Sequence, residues 1–281
     1  MTERLTLGFS PCPNDTYIFH ALVHNLVPLD RVSFAPPVLE DVETLNSWAL
    51  QAKLDVTKLS FHALGHVLDD YVMLTSGAAL GRGCGPLLVT RPGPSLDLEK
   101  AAIAIPGTHT TAAMLLRLYA PEAAHLQVMR FEEIMPAVRD GKIDAGVIIH
   151  ESRFTYQGLG LVPVKDLGEW WEELTGLPVP LGCIAARRGM SREVIGEIDR
   201  AVRKSLLWAR EHPRQCMEYI RSHAQEMDDR VLQSHITLYV NDFSLEIGDE
   251  GREAIRELLR RGRRAGIFPE NRLSEVFQDD A

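Results

Sequence analysis

A chain of 281 residues with 45% hydrophobic composition can bury a sizeable core, as one large domain or two of roughly 100–150 residues. Its formal net charge of −9 gives a field that repels nucleic acid and anionic membrane surfaces. Cys12, Cys84, Cys183 and Cys216 are scattered without a Cys-x-x-Cys pair, which excludes a zinc framework or a disulfide scaffold as the organising device.

Met1 to Leu5 enters a strand at once, without the apolar core of a signal peptide, and no apolar run approaches the ~20 residues that span a bilayer. A soluble cytoplasmic protein is expected. Strand and helix patterns then alternate, which predicts α/β architecture. Leu5 to Phe9 reads as a strand. The loop Ser10-Pro11-Cys12-Pro13-Asn14-Asp15-Thr16 follows, rich in capping residue types, and delivers a helix over Tyr17 to His24. Glu40 to Gln51 is a helix pattern, Val56 to Leu59 a short strand ending at Ser60, and Tyr71 to Thr75 a further apolar run.

The glycine cluster Gly81 to Gly85 matches no dinucleotide or phosphate-loop fingerprint and reads as a bend into the strand Leu87-Leu88-Val89. Ala101 to Ile105 is a strand, and Thr111 to Tyr119 and Phe131 to Arg139 are helices. The apolar run Asp144 to Ile149 carries His150 at its end, where open α/β sheets place ligands. Asp166 to Thr175 bears Trp170 and Trp171, for which hydrophobic packing between lobes is the expected role. Leu181 to Ala186 is apolar, and from Ser191 onward the pattern is almost wholly helical. Arg260, Arg261, Arg263 and Arg264 close the last helix, where cations complement its dipole.

One internal echo organises the chain. Lys53-Leu54-Asp55 precedes a strand ending at Ser60, and Lys142-Ile143-Asp144 precedes a strand ending at His150. The two read as corresponding units of two similar lobes, aiming strand ends at a shared cleft.

Histidine has the unperturbed pKa, about 6.5, best suited to general acid–base work near neutral pH, so His150 is the candidate base. Pro106 to Ala113 joins a strand to a helix start and offers hydroxyls with free N–H groups to an anion, with Thr110, Thr111 and Ala112 at its centre. His20/His24 and His62/His66 have i, i+4 spacing, but no His-Glu-x-x-His pattern or third ligand accompanies them, so no metal is expected. Ser10 and Ser60 sit in no Gly-x-Ser-x-Gly elbow, which argues against a serine hydrolase.

The blocks Ser10 to Thr16, Leu39 to Asn46, Thr57 to Ser60, Ile148 to Tyr156, Gly176-Leu177-Pro178 and Val240-Asn241 resemble, in order, those of the 1,4-dihydroxy-6-naphthoate synthase family of the futalosine route to menaquinone. The resemblance implies a two-lobe type II periplasmic-binding-protein-like fold with two inter-lobe crossovers, near Val89–Arg91 and Ile184–Arg187. Residues 1–90 and 186–281 would form the first lobe, 91–185 the second, with the active site between them. It implies a small-molecule substrate, cyclic dehypoxanthinyl futalosine, cleaved without a cofactor. His150 would be the catalytic base, and Lys58, Leu59, Ser60, Thr111 and Ala112 would contact substrate. Ser10, Asn14, Thr110 and Arg153 are further cleft candidates, with Lys58 or Arg153 a possible clamp for the substrate carboxylate. Arg153 reads equally as one half of a lobe-stabilising ion pair. Two alternatives stand beside this reading: chorismate dehydratase, a sibling enzyme on the same fold, and a non-catalytic solute-binding protein. The sequence leaves the oligomeric state open.

Overall fold

A computed structural model describes residues 3–224, 228–269 and 275–280; Met1 and Thr2 of the expected N-terminal strand lie outside them. The chain begins with β1 (Glu3–Leu5), β2 (Leu7–Phe9), α1 (Pro13–Val23), β3 (Val32–Phe34), β4 (Val38–Leu39), α2 (Val42–Ala49), β5 (Val56–Ser60), α3 (Phe61–Val67), β6 (Tyr71–Met73) and β7 (Ala79–Gly81). It continues through β8 (Leu87–Thr90), β9 (Ile103–Ile105), α4 (Thr111–Tyr119), β10 (Leu126–Val128), α5 (Phe131–Arg139), β11 (Ala145–Ile148), α6 (Ser152–Thr155), β12 (Val162–Asp166) and α7 (Leu167–Thr175). It ends with β13 (Val179–Arg187), α8 (Arg192–Glu211), α9 (Pro213–His223), α10 (Asp229–Tyr239), α11 (Asp242–Leu245) and α12 (Gly248–Arg264).

Two mixed sheets result, with strand orders β4-β2-β5-β13-β6 and β10-β9-β11-β8-β12; β7 also pairs with β13. The internal echo is physical. β5 and β11 hold the same place in their sheets, each parallel to one neighbour (β2, β9) and antiparallel to the other (β13, β8). The repeated aspartate does the same work in both. Asp55 accepts from the N–H of Thr6 at 2.8 Å, just ahead of β2, and Asp144 accepts from the N–H of Ala102 at 2.9 Å, just ahead of β9. Each carboxylate thereby sets the register between its strand and the parallel neighbour.

The chain passes between the sheets at 82–86 and returns after α7, ahead of the positions expected at Val89–Arg91 and Ile184–Arg187. β8 lies wholly in the second sheet and β13 wholly in the first. A buried apolar run looks the same in either sheet, so hydrophobicity could not show where the change occurs. The glycine cluster makes the first passage possible: a Cβ on Gly85 would stand 2.3 Å from Cα of Gly168, so the passage lies directly against the start of α7. Trp171 is fully buried in the apolar cluster and donates to the Pro178 carbonyl at 3.0 Å, while Trp170 is half-buried with its ring edge-on to Tyr119.

One apolar cluster runs from α3 and β5 through α4 and β11 to α12, tying the two sheets together. A second packs α1 against α8, α9 and α10 on the other face of the first sheet. In α8, Ile195, Ile198, Ala201, Val202, Leu206 and Ala209 form the buried stripe that the helical period requires. This packing lays α10 across the start of α1, where the functional groups gather. All four cysteines are free and buried.

Asp55 serves two donors, the Thr6 N–H and its hydroxyl, whereas the Asp144 carboxylate serves the Ala102 N–H. Asp55→Ala is therefore expected to lower stability by about 1–3 kcal/mol and Asp144→Ala by less, read from denaturant midpoints. Equal losses would break the ranking.

Candidate functional site

The residue at the end of β11 has an unusual backbone. His150 adopts φ 56°, as do Asn25 and Ala52 at 57° and 51°. The latter two close helices α1 and α2 in the ordinary left-handed manner. His150 closes a strand, so its conformation serves to aim the ring; strain of this kind clusters at functional sites. The ring meets Cys12 Sγ at 3.7 Å from Nδ1, Phe131 edge-on at 5.1 Å, and the ring of His235 stacked at 6.0 Å.

His150, Ile149 and Val42 line two adjoining cavities. The inner one, about 90 Å³, is lined by Ser10, Asn14, Lys58, Leu59, Ser60, Thr110, Thr111 and Ala112 as well as His150. Every sequence-derived site residue except Arg153 thus meets in one chamber. The outer one, about 450 Å³, opens past Asp41, Glu43, Arg130 and Phe131.

Each wall has a local cause. Helix α1 starts at Pro13, and its expected capping residues fall inside its first turn, where Asp15 reaches back to the Ser10 N–H at 3.3 Å. Its carboxylate accepts from Ser10 Oγ at 2.7 Å, Asn14 Nδ2 at 2.8 Å and Lys58 Nζ at 2.5 Å. Lys58 is therefore committed to a buried ion pair and is not a free carboxylate clamp. Arg153 is equally committed, donating to Gly85 O and to Asp166 Oδ2, both at 2.6 Å. Because Asp166 caps α7, this guanidinium braces the first passage between sheets and does not face the chamber.

The loop before α4 is fastened to the first sheet. Thr110 caps the helix through Ala113 N. The Thr111 hydroxyl accepts from Phe61 N at 2.9 Å and donates to Leu181 O at 2.6 Å, which leaves the N–H groups of the first helical turn, not the hydroxyl, to face a ligand. His62 Nδ1 holds the Thr110 carbonyl at 3.1 Å, and Asn46 bridges the Ser60 hydroxyl and the His109 carbonyl at 3.2 Å each. The anion that the sequence led one to expect at this loop has a resident beside it. The Glu43 carboxylate accepts from the His109 N–H at 3.1 Å and lies 3.2 Å from its Nδ1. Gly107 allows that approach, since a Cβ there would stand 2.5 Å from the carboxylate.

Burial pushes the His150 imidazole below its usual pKa, and Glu151, Asp15 and Asp41 push it back up against Lys58. Burial also holds the Cys12 thiol well above its usual range, so it stays protonated. His20 and His24 stack on each other, and the more deeply buried His62 meets His66 with the rings tilted, centroids 5.4 Å apart. Among the described residues, no group of three or more His, Cys, Asp or Glu side chains is placed to hold a metal ion, and no helix is long and apolar enough to cross a membrane. Asp15, Asn46, Glu43, Glu151 and His235 escaped sequence reading, since each acts through a partner distant in the chain or was read as a cap or helix-face residue.

Two mixed sheets with a cleft between them, and a chemically equipped strand end in the cleft, define a periplasmic-binding-protein-like architecture. The fold matches the periplasmic aliphatic sulphonate binding protein SsuA from Escherichia coli at TM-score 0.64 and 13% identity, covering 96% of this chain and 90% of that one. A protein from Archaeoglobus fulgidus matches at TM-score 0.87 and 36% identity, covering 94% and 98%. The chain belongs to the menaquinone biosynthesis family, whose model matches residues 5–264, and within it to the 1,4-dihydroxy-6-naphthoate synthases. The enzyme of that name from Thermus thermophilus is 53% identical over 269 residues, covering 94% of this chain and 96% of the relative. The one from Streptomyces coelicolor is 46% identical over 276 residues, covering 95% of each.

Glu43→Ala is expected to release the loop before α4, raising amide exchange over residues 107–113; unchanged exchange would show that the carboxylate does not hold it. Burial lowers His62 to about 3, so the native ring stays neutral where the unfolded one, near 6.5, takes up a proton. Its contribution to stability is present above about pH 6.5 and is lost as pH falls toward its folded value. His62→Gln should flatten the fall in melting temperature over that window, and an unaltered acid profile would contradict this.

Proposed function

We propose that this chain cleaves cyclic dehypoxanthinyl futalosine to 1,4-dihydroxy-6-naphthoate and a sugar-derived fragment, with His150 as general base. The observation that carries this reading is the convergence of His150, Lys58, Leu59, Ser60, Thr111 and Ala112 on one chamber. The relatives' names and the near full-length match support the reaction class.

A neutral His150 takes a proton from the sugar portion, and the resulting negative charge drains as a carbon–carbon bond breaks. General base catalysis of this kind typically supplies about 10²–10⁴-fold. The first-turn N–H groups of Thr111 and Ala112 receive the substrate's polar or anionic groups, aided by the Ser60 hydroxyl. With Lys58 and Arg153 already paired, the carboxylate is held by those backbone donors. Residues 1–90 and 186–281 act as one lobe and 91–185 as the other, apart from the short offset of the passages between them. The reaction runs in the cytoplasm on a small molecule, with no part for nucleic acid or membrane.

The test is incubation of the protein with the futalosine derivative and chromatography of the products, with His150→Ala alongside. Dihydroxynaphthoate from wild type, with at least a 100-fold loss in the variant, is the expected result. Product from both removes the base assignment. No product from either, in folded protein, removes the substrate and directs the assay to chorismate. Thr111→Val should raise KM and also lower stability by about 1–3 kcal/mol, because Phe61 N and Leu181 O lose their shared partner. KM rises because the backbone donors of the α4 start lose the tether that positions them, and unchanged KM would show that this tether does not set their position.

A further inference from the structure

His235 lies on α10, wholly buried, directly behind His150. Its Nε2 is 2.9 Å from Asn14 Oδ1. The amide of Asn14 has no freedom to turn over: its Nδ2 faces the Asp15 carboxylate at 2.8 Å, which only accepts, so its oxygen must face His235. Nε2 therefore carries the proton of a neutral His235, and Nδ1 offers a lone pair. That lone pair points toward Glu151 Oε2 at 3.7 Å, and neither atom has a hydrogen-bond partner among the described residues. Two buried acceptors thus face each other, one of them on the residue that follows His150. An arrangement that leaves a carboxylate oxygen buried and unsatisfied costs stability and calls for an explanation.

We propose that Glu151, kept unneutralised by this tautomer of His235, is the positioning residue that supplies counter-charge to His150 when it takes up the substrate proton. The inference rests on His150 being the base. A His235 that donated from Nδ1 would bind the carboxylate and spend its charge locally; Asn14 prevents this through Asp15. The charge remains uncompensated on the residue next to His150, whose imidazole becomes positive during turnover and neutral again afterwards.

The other groups facing His150 do not replace it. The Cys12 thiol stays neutral, Asp15 is already paired with Lys58 at 2.5 Å, and Asp41 caps α2 through the N–H groups of Glu43 and Thr44. Lys58 repels the imidazolium, and Phe131 contributes only its ring edge. Burial and Glu151 are the two largest influences on His150, of opposite sign.

Ring-nitrogen NMR titration of the ligand-free protein reads the coupling directly. Wild type should show His235 as the Nε2–H tautomer; an Nδ1–H tautomer would overturn the proposal without any variant. Glu151→Gln offers an amide donor to His235 Nδ1, so folding should be preserved. In it, the His150 titration should move down by about one unit, the acid limb of kcat/KM should move to lower pH, and kcat should fall as the base weakens. Glu151→Asp, which keeps the charge, should restore most of the shift. Equal titration shifts in both variants, or none in Glu151→Gln, would leave Glu151 with a structural role only. An active His150→Ala would remove the base reading yet leave the titration result standing, so the two failures are distinguishable.

Discussion

The buried ion pair between Asp15 and Lys58 is the constraint from which the site is built. Removing either partner of such a pair typically costs about 3–5 kcal/mol, because an uncompensated charge is left in a dry interior. Here the pair does more than compensate itself. Asp15 collects the Ser10 hydroxyl and the Asn14 amide, so the β2–α1 loop, the first turn of α1 and strand β5 share one carboxylate. Through Asn14 the same carboxylate reaches α10, more than two hundred residues further along the chain. The cavity wall is thus rigid and charge-balanced before any ligand arrives.

The second sheet is held to the first by a line of polar contacts around the start of α4: Glu43 with His109, Asn46 with the His109 carbonyl, His62 with the Thr110 carbonyl, and Thr111 with Phe61 and Leu181. The apolar cluster beneath them is continuous from α3 to α4. Separating the sheets along this line would orphan several buried donors at once and expose part of that cluster. The outer cavity shares Val42, Ile149 and His150 with the inner chamber and reaches this line of contacts at Glu43.

Much of this was legible in sequence where the signal is local. α4 and α5 begin and end where their periodicity places them, and β5 ends at Ser60. His150 could be singled out because a strand end is a position that sequence can mark. The repeat of Lys-x-Asp ahead of β5 and β11 was visible, and the structure adds its reason, a carboxylate that fastens each strand to its parallel neighbour. Pairing was not legible. Lys58 and Arg153 look like free cations along the chain, and only the fold reveals that Asp15 and Asp166 have claimed them. The passages between sheets were displaced because a strand's neighbours, not its composition, decide which sheet it joins. His235 stands in a helix whose pattern gives no sign that its ring meets residues from the N-terminal loop.

The stacked pair His150 and His235 shows how one fold makes two different groups from the same side chain. Both rings are enclosed, and burial opposes a positive charge on each. Around His235, His150 and Lys58 work in the same direction as burial, so it is held well below its usual range even with Glu151 Oε2 at 3.7 Å from its Nδ1. Around His150, Glu151, Asp15 and Asp41 oppose burial. The result is one imidazole that keeps a fixed tautomer and acts as an oriented dipole, and a second, 6.0 Å away, that can accept a proton. Separation of this kind between adjacent titratable groups is what general base chemistry requires, because the acceptor must change charge while its surroundings do not. The three carboxylates that oppose burial at His150 are placed by the α1 start, the α2 cap and the left-handed turn at the end of β11.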